Sequence, residues 1–237
     1  MKKYVNLFVF VFMIGACLSQ GRAQTKSAVS YKNPVVDIAM PDPTVIKAAD
    51  GYFYVYATES TRNVPIMKSK DLVEWTYCNT AFTNKTRPRF EPKAGIWAPD
   101  INYINGKYVL YYAMSVWGGE QTCGIGVATA NSPQGPFTDH GKMFRSNEIG
   151  VQNSIDPSLL QYEGRNYLVW GSFRGIYVIE LTADGLSIMS GAKKKRIAGT
   201  AFEAVYIHKH DDYYYMFASI GSCCQGVKST YKVVVGR

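Results

Sequence analysis

The chain has 237 residues, 47% hydrophobic and 19% charged, with a formal net charge of +8. That length and apolar content suit one large domain or two small ones with a sizeable core, and they exclude a disordered chain. Collagen, a coiled coil and a multi-span membrane protein are excluded by composition. The 18 Tyr, 11 Phe and 4 Trp favour strands, and they favour sites that stack flat ligands or sugar rings.

Residues 1–23 read as a signal peptide. Lys2 and Lys3 form a basic start, Val5 to Leu18 is apolar, and Gly21-Arg22-Ala23 puts small residues at cleavage spacing. The apolar run is short for a spanning helix. A competing reading is a lipoprotein signal, because Ile14-Gly15-Ala16-Cys17 resembles a lipobox and would anchor the protein through Cys17. Either reading exports the protein to the periplasm or the extracellular space. The remaining domain, 24–237, keeps 23 basic and 18 acidic residues, a net charge of +5. Its densest basic cluster, Lys193-Lys194-Lys195-Arg196, is expected to be a solvated loop. It has no nucleic-acid motif beside it.

Four segments then repeat. They start at Asp42, Asp100, Asp156 and Glu203, spaced 58, 56 and 47 residues apart. Each begins with a carboxylate, runs through a short apolar strand and turns at hairpin residues. The turns hold Asp50-Gly51, Asn105-Gly106, Glu163-Gly164 and Asp211-Asp212. Each returns as an aromatic strand that ends in a small residue. Third strands are predicted near Val64–Lys68, Gly124–Ala130, Gly175–Leu181 and Tyr231–Val235. No long amphipathic helix of period 3.6 appears. The fold class is therefore all-β, and the period is near the blade length of a β-propeller. A sandwich of similar hairpins is the competing fold, but it gives no reason for an acid at one point of every unit. In a propeller those acids would converge on one cavity.

Converging carboxylates raise at least one pKa among them. Two chemistries use such a cluster: glycoside hydrolysis and binding of a hard cation. Trp97 lies three residues before Asp100, and Trp117 lies in a glycine-rich loop. Both favour a sugar ligand. His208 and His210 alternate along one strand and read as surface residues. Cys78, Cys123, Cys223 and Cys224 show no CxxC spacing, so buried thiols or at most one bridge are expected. No dedicated metal-ligand motif is present.

The residues resemble glycoside hydrolase family 43, the five-bladed propeller hydrolases, and most of all its endo-arabinanases. The matching stretches are PDPTVI around Asp42, SKDLVEW ending at Trp75, IWAPDI with Trp97 and Asp100, and ANSPQGPFTDHG from Ala130. NSIDPS around Asp156, FEAVYIHK from Glu203 and GSCCQGVKSTYKVVVGR at the end complete the set. The resemblance implies an inverting reaction on α-1,5-linked L-arabinan. Asp42 would be general base, Glu203 general acid, and Asp156 the residue that orients the acid and tunes its pKa. Asp100 matches none of the three catalytic roles and would be structural or contact substrate, while Trp97 and Trp117, with Asn153 and Ser154 at the cavity rim, would contact substrate. The alternatives are an exo-acting α-L-arabinofuranosidase, a β-xylosidase, or a non-catalytic carbohydrate-binding propeller. The implied partner is a plant cell-wall polysaccharide, arabinan or arabinoxylan, with no partner protein and no cofactor in the chemistry. A structural calcium occurs in the family, but the region of its usual histidine has no counterpart here. Pro41 stands where some arabinanases carry His. About four blades fit the length against the family's five, so a C-terminally incomplete domain with an exposed sheet face and weakened stability is expected.

Overall fold

The computed structural model describes residues 30–237. The signal peptide and the lipidation of Cys17 lie outside the described residues. Residues Lys32–Arg237 form one compact unit. It consists of four antiparallel sheets in which strands adjacent in sequence are adjacent in space. Blade 1 holds β1 (Thr44–Lys47), β2 (Phe53–Tyr56), β3 (Pro65–Ser69) and β4 (Trp75–Thr80). Blade 2 holds β5 (Gly95–Ile104), β6 (Lys107–Ser115), β7 (Gly124–Ala130) and β8 (Thr138–Arg145). Blade 3 holds β9 (Ser158–Tyr162), β10 (Arg165–Trp170), β11 (Ile176–Glu180) and β12 (Lys195–Ala198). Blade 4 has β13 (Glu203–His210), β14 (Tyr213–Ile220) and β15 (Lys232–Gly236). The only α-helix among the described residues is one turn, α1 (Ser146–Ile149). This is a β-propeller arrangement, with each blade a meander around a common end.

The predicted hairpins and third strands are present. The basic cluster departs from expectation: Lys195 and Arg196 belong to β12, an exposed outer strand, rather than to a loop. A strand of such composition is suited to an edge, where charge discourages pairing with other chains.

Side chains between consecutive blades form the core. Tyr54, Tyr56 and Ile66 of blade 1 meet Ile96, Leu110 and Tyr112 of blade 2. Tyr111, Ile125 and Phe144 of blade 2 meet Leu168 and Trp170 of blade 3. Val169 and Ile176 meet Val205 and Ala218 across the last seam. The far sides of the outer blades are less covered. Val45 on blade 1 and Tyr206, Phe217, Val233 and Val235 on blade 4 are exposed.

Register corrects the alignment of the repeat. Asp42, Ala98, Asp156 and Ala204 all lie at left-handed φ, between 41° and 57°. Two residues further on, Thr44 pairs with Tyr56, Asp100 with Tyr111, Ser158 with Val169 and Tyr206 with Phe217. The structural counterparts of Asp42 and Asp156 are thus Ala98 and Ala204. Asp100 sits two positions further along its strand, and Glu203 sits one position earlier. Register shifts at Trp97/Asp100 and Glu203/Tyr206 mark the bulges responsible. Such a bulge re-aims side chains at a strand mouth, and no sequence spacing reveals it.

Candidate active site

Asp42, Asp156 and Glu203 approach from three blades at the entry ends of their innermost strands. Asp42 precedes β1, Asp156 precedes β9, and Glu203 opens β13. The charges of Glu203 and Asp42 both bear on Asp156. Burial, then Glu203, then Asp42 push the Asp156 carboxyl well above its usual range, although the Ala204 N–H donates to it. The cluster therefore retains a proton where isolated carboxyls would have lost theirs.

Hydroxyl groups hold the other two acids. Thr58 Oγ1 donates to Asp42 Oδ2 at 2.5 Å and accepts the Ala98 N–H at 2.7 Å. That pair of bonds ties the mouth of blade 1 to the bulge of blade 2. Glu203 is 9% exposed. Ser172 Oγ donates to Glu203 Oε2 at 2.6 Å, and Tyr231 Oη donates to Oε1 at 2.5 Å. Thr58, Ser172 and Tyr231 hold the candidate acids and were not singled out in the sequence. The signal for the first two was present: they are the small hydroxyl residues at which the aromatic strands end.

Trp97 and Trp117 form an aromatic pair at this end of the fold. Their ring centroids are 5.7 Å apart at 52°. Trp97 packs on Ile155, the residue before Asp156, and on Ala113 and Cys123. Trp117 is 79% exposed. A large apolar ring left in solvent beside polar groups suits a sugar face. Gly95 permits the placement, because a Cβ there would lie 2.4 Å from Trp97 Nε1.

Three expected rim residues have other duties. Asp100 lies in the seams between blades 1, 2 and 3. Its Oδ2 accepts from Asn102 Nδ2 at 2.7 Å and from the Leu159 N–H at 2.8 Å, and Thr44 Oγ1 lies 3.5 Å from its Oδ1. Burial raises its pKa to about 6 against those bonds. It is a scaffold acid: level with Thr44 and Ser158 in register, it lies two residues past the strand mouth and is buried in the packed seam. Ser154 is fully buried, accepting from Trp170 Nε1 at 3.0 Å and donating to Val151 O at 2.8 Å. Asn153 is partly buried, and its Nδ2 donates to Ser172 O at 3.1 Å. It buttresses the strand end whose hydroxyl holds Glu203.

His208 and His210 are exposed. Cys78, Cys123, Cys223 and Cys224 are free thiols. Among the described residues no three His, Cys, Asp or Glu side chains form a metal-holding group. An open apolar cavity of about 730 Å³ lies beside blade 1 among Val36, Ile38, Val45, Val55, Leu72 and Trp75, and none of the three acids lines it.

Residues 31–237 match the profile of Glycosyl hydrolases family 43. The extracellular endo-α-(1→5)-L-arabinanase 1 of Bacillus subtilis is 37% identical over 209 residues, covering 83% of this chain and 64% of that protein. The extracellular exo-α-(1→5)-L-arabinofuranosidase of Cellvibrio japonicus is 34% identical, covering 83% of this chain and 63% of that protein. The chain thus spans a little under two thirds of these relatives. Among solved structures, Cellvibrio cellulosa α-L-arabinanase complexed with arabinohexaose superposes with a TM-score of 0.75 at 30% identity, covering 84% of this chain and 70% of that one. With four successive blades, three acids gathered from separate repeats and a profile match along nearly all described residues, the chain belongs to glycosyl hydrolase family 43.

Proposed function

We propose that this protein hydrolyses α-1,5-linked L-arabinan by an inverting, two-carboxylate mechanism. The observation that carries this reading is the assembly of Asp42, Asp156 and Glu203 from three blades, with the charges of the outer two acting on Asp156. Asp42 is the general base. Its Oδ2 is held by Thr58, and Oδ1 receives no hydrogen bond from the described residues, so it is free to take a proton from water. Glu203 is the general acid that protonates the leaving glycosidic oxygen. Asp156 orients Glu203 and tunes its acidity: the carboxyls repel one another when all are charged, so the cluster keeps a proton for the reaction. Inversion requires about 6.5–9.5 Å between base and acid, room for the attacking water. Trp97 and Trp117 supply a stacking surface for the furanose rings. Arabinan is the favoured substrate because the endo- and exo-acting relatives are both named for α-1,5-linked arabinose. Export, as for those extracellular relatives, brings the enzyme to the polymer.

The test is digestion of linear arabinan, followed by product sizing and by NMR of the first-formed anomer. Mixed oligomers with β-configured new ends are expected. Arabinose alone would assign the exo mode. Binding without any product, unchanged by Asp42→Asn, would overturn the enzymatic reading in favour of a carbohydrate-binding propeller.

A further inference from the structure

The stretch from Gly221 to Arg237 contributes one side chain to the carboxylate cluster, and nothing above gives it a role in the chemistry. Tyr231 immediately precedes β15, and its hydroxyl donates to Glu203 Oε1 at 2.5 Å. The ring is partly exposed, while the hydroxyl reaches inward to a carboxylate that is almost fully buried. Ser172 donates to the opposite oxygen from blade 3. Glu203 is therefore clamped between two blades by two donors. A general acid must carry a proton, and a neutral carboxyl is the weaker acceptor, so the hold of the hydroxyl on the protonated oxygen loosens. Tyr231 has somewhere else to turn, since the buried Ser219 hydroxyl lies within hydrogen-bond reach.

We propose that Tyr231 is a positioning residue for Glu203: its hydroxyl holds the ionised carboxylate and releases it on protonation, so that it sets the pH at which Glu203 serves as an acid. The assignment rests on Glu203 being the general acid. The titratable groups around this pair come from every neighbouring element. Asp156 enters from the start of blade 3 and Asp42 from the start of blade 1. Cys223 enters from the loop after β14, where burial first, and also the adjacent Cys224 and the charge of Glu203, push its thiol up to about 12. Tyr231 itself stays protonated throughout the working range, because burial, its bond to Glu203 and the charge of Glu203 push its phenol far above the ordinary value. It therefore acts as a fixed donor, and no proton is lost from it at any step.

The test follows the Glu203 carboxyl directly, by carbon NMR of protein labelled at the Glu side-chain carboxyl. The resonance is assigned by its loss in Glu203→Gln. In Tyr231→Phe the titration midpoint of Glu203 should rise by about 1 pH unit, because a donor to the charged form is gone. An unmoved or lowered midpoint overturns the proposal. If the phenylalanine variant fails to fold, 3-fluorotyrosine placed at 231 keeps the ring and strengthens the donor. The midpoint should then fall, and an unmoved one overturns the proposal equally. Kinetics supply a second reading. Tyr231→Phe should move the alkaline limb of the kcat profile upward on linear arabinan and leave it in place on a 4-nitrophenyl arabino-oligosaccharide, whose leaving group needs little protonation. An unmoved limb on arabinan would overturn the role in acid catalysis. If the unmodified chain hydrolyses neither substrate, the glycosidase reading fails, while the NMR titration still decides the coupling of Tyr231 to Glu203.

Discussion

Two acids of this chain, Asp100 and Asp156, are both driven towards the protonated form by burial, yet their surroundings differ in kind. Around Asp100 the neighbours are scaffold donors: an Asn side chain, a backbone N–H and a Thr hydroxyl, drawn from three blades. Around Asp156 the neighbours include two more carboxylates, and the Ala204 N–H offsets only part of their repulsion. A perturbed pKa alone does not separate these cases. What separates them is whether the perturbing groups are themselves reactive and reachable. Asp100 ties the seams between blades, whereas Asp156 shares a proton with groups that open onto the strand mouths.

The largest effect that would break this contrast lies in the cluster. Asp156→Asn and Glu203→Gln should each reduce kcat on arabinan by about 10²–10⁴-fold. The thermal midpoint should hold or rise, because like-charge repulsion is relieved. A variant that lost stability and kept turnover would move Asp156 into the scaffold class.

A third acid sharpens the comparison from the opposite direction. Glu59 is also buried, but Arg87 and the N–H groups of Asn63 and Ile96 outweigh that burial and hold its carboxyl below the ordinary range. Arg87→Ala leaves this charge without its partner, and a loss of about 3 kcal/mol in urea unfolding is expected. The stabilisation from Glu59 is present above the ordinary carboxylate pKa. It is lost as pH falls through the depressed one, so the variant should show a weaker dependence on acid.

Asp100 has the reverse sign. Its contribution is complete below the ordinary Asp value and is lost as pH rises through about 6. Asp100→Asn keeps an acceptor for Asn102 and Leu159 without the charge. It should change stability at pH 7 by only about 1 kcal/mol and flatten the slope between pH 4 and 7. Denaturant unfolding at several pH values measures this, and a loss of activity exceeding the change in stability would return Asp100 to the site. The smallest effect concerns the aromatic pair. Trp117→Ala should raise KM for arabinan a few-fold, roughly 1 kcal/mol of stacking, with kcat and the unfolding midpoint unchanged.

Much of the fold was readable before any coordinates. Hairpin turns such as Asn105-Gly106 and the apolar strands beside them are local, and local chemistry suffices to form them. The outer strands were harder. WTYCNT in β4 and TDHGKMFR in β8 mix polar and apolar residues, because an edge strand buries little. Asp42 and Asp156 were legible as a repeated feature, Glu203 lies one position off that repeat, and Thr58 and Ser172 were legible only as strand ends.

The amino-acid order by itself determined the all-β class and the blade period, which follow from turn residues, alternation and repetition acting over a few residues at a time; the family resemblance singled out Asp42, Asp156 and Glu203 among the repeated acids. The tertiary structure alone decided that Asp100 leaves the site while Tyr231 enters it. Strand register decides which residues of separate blades stand level with one another, and a hydroxyl 28 positions away reaches Glu203 only through the pairing of β14 with β15.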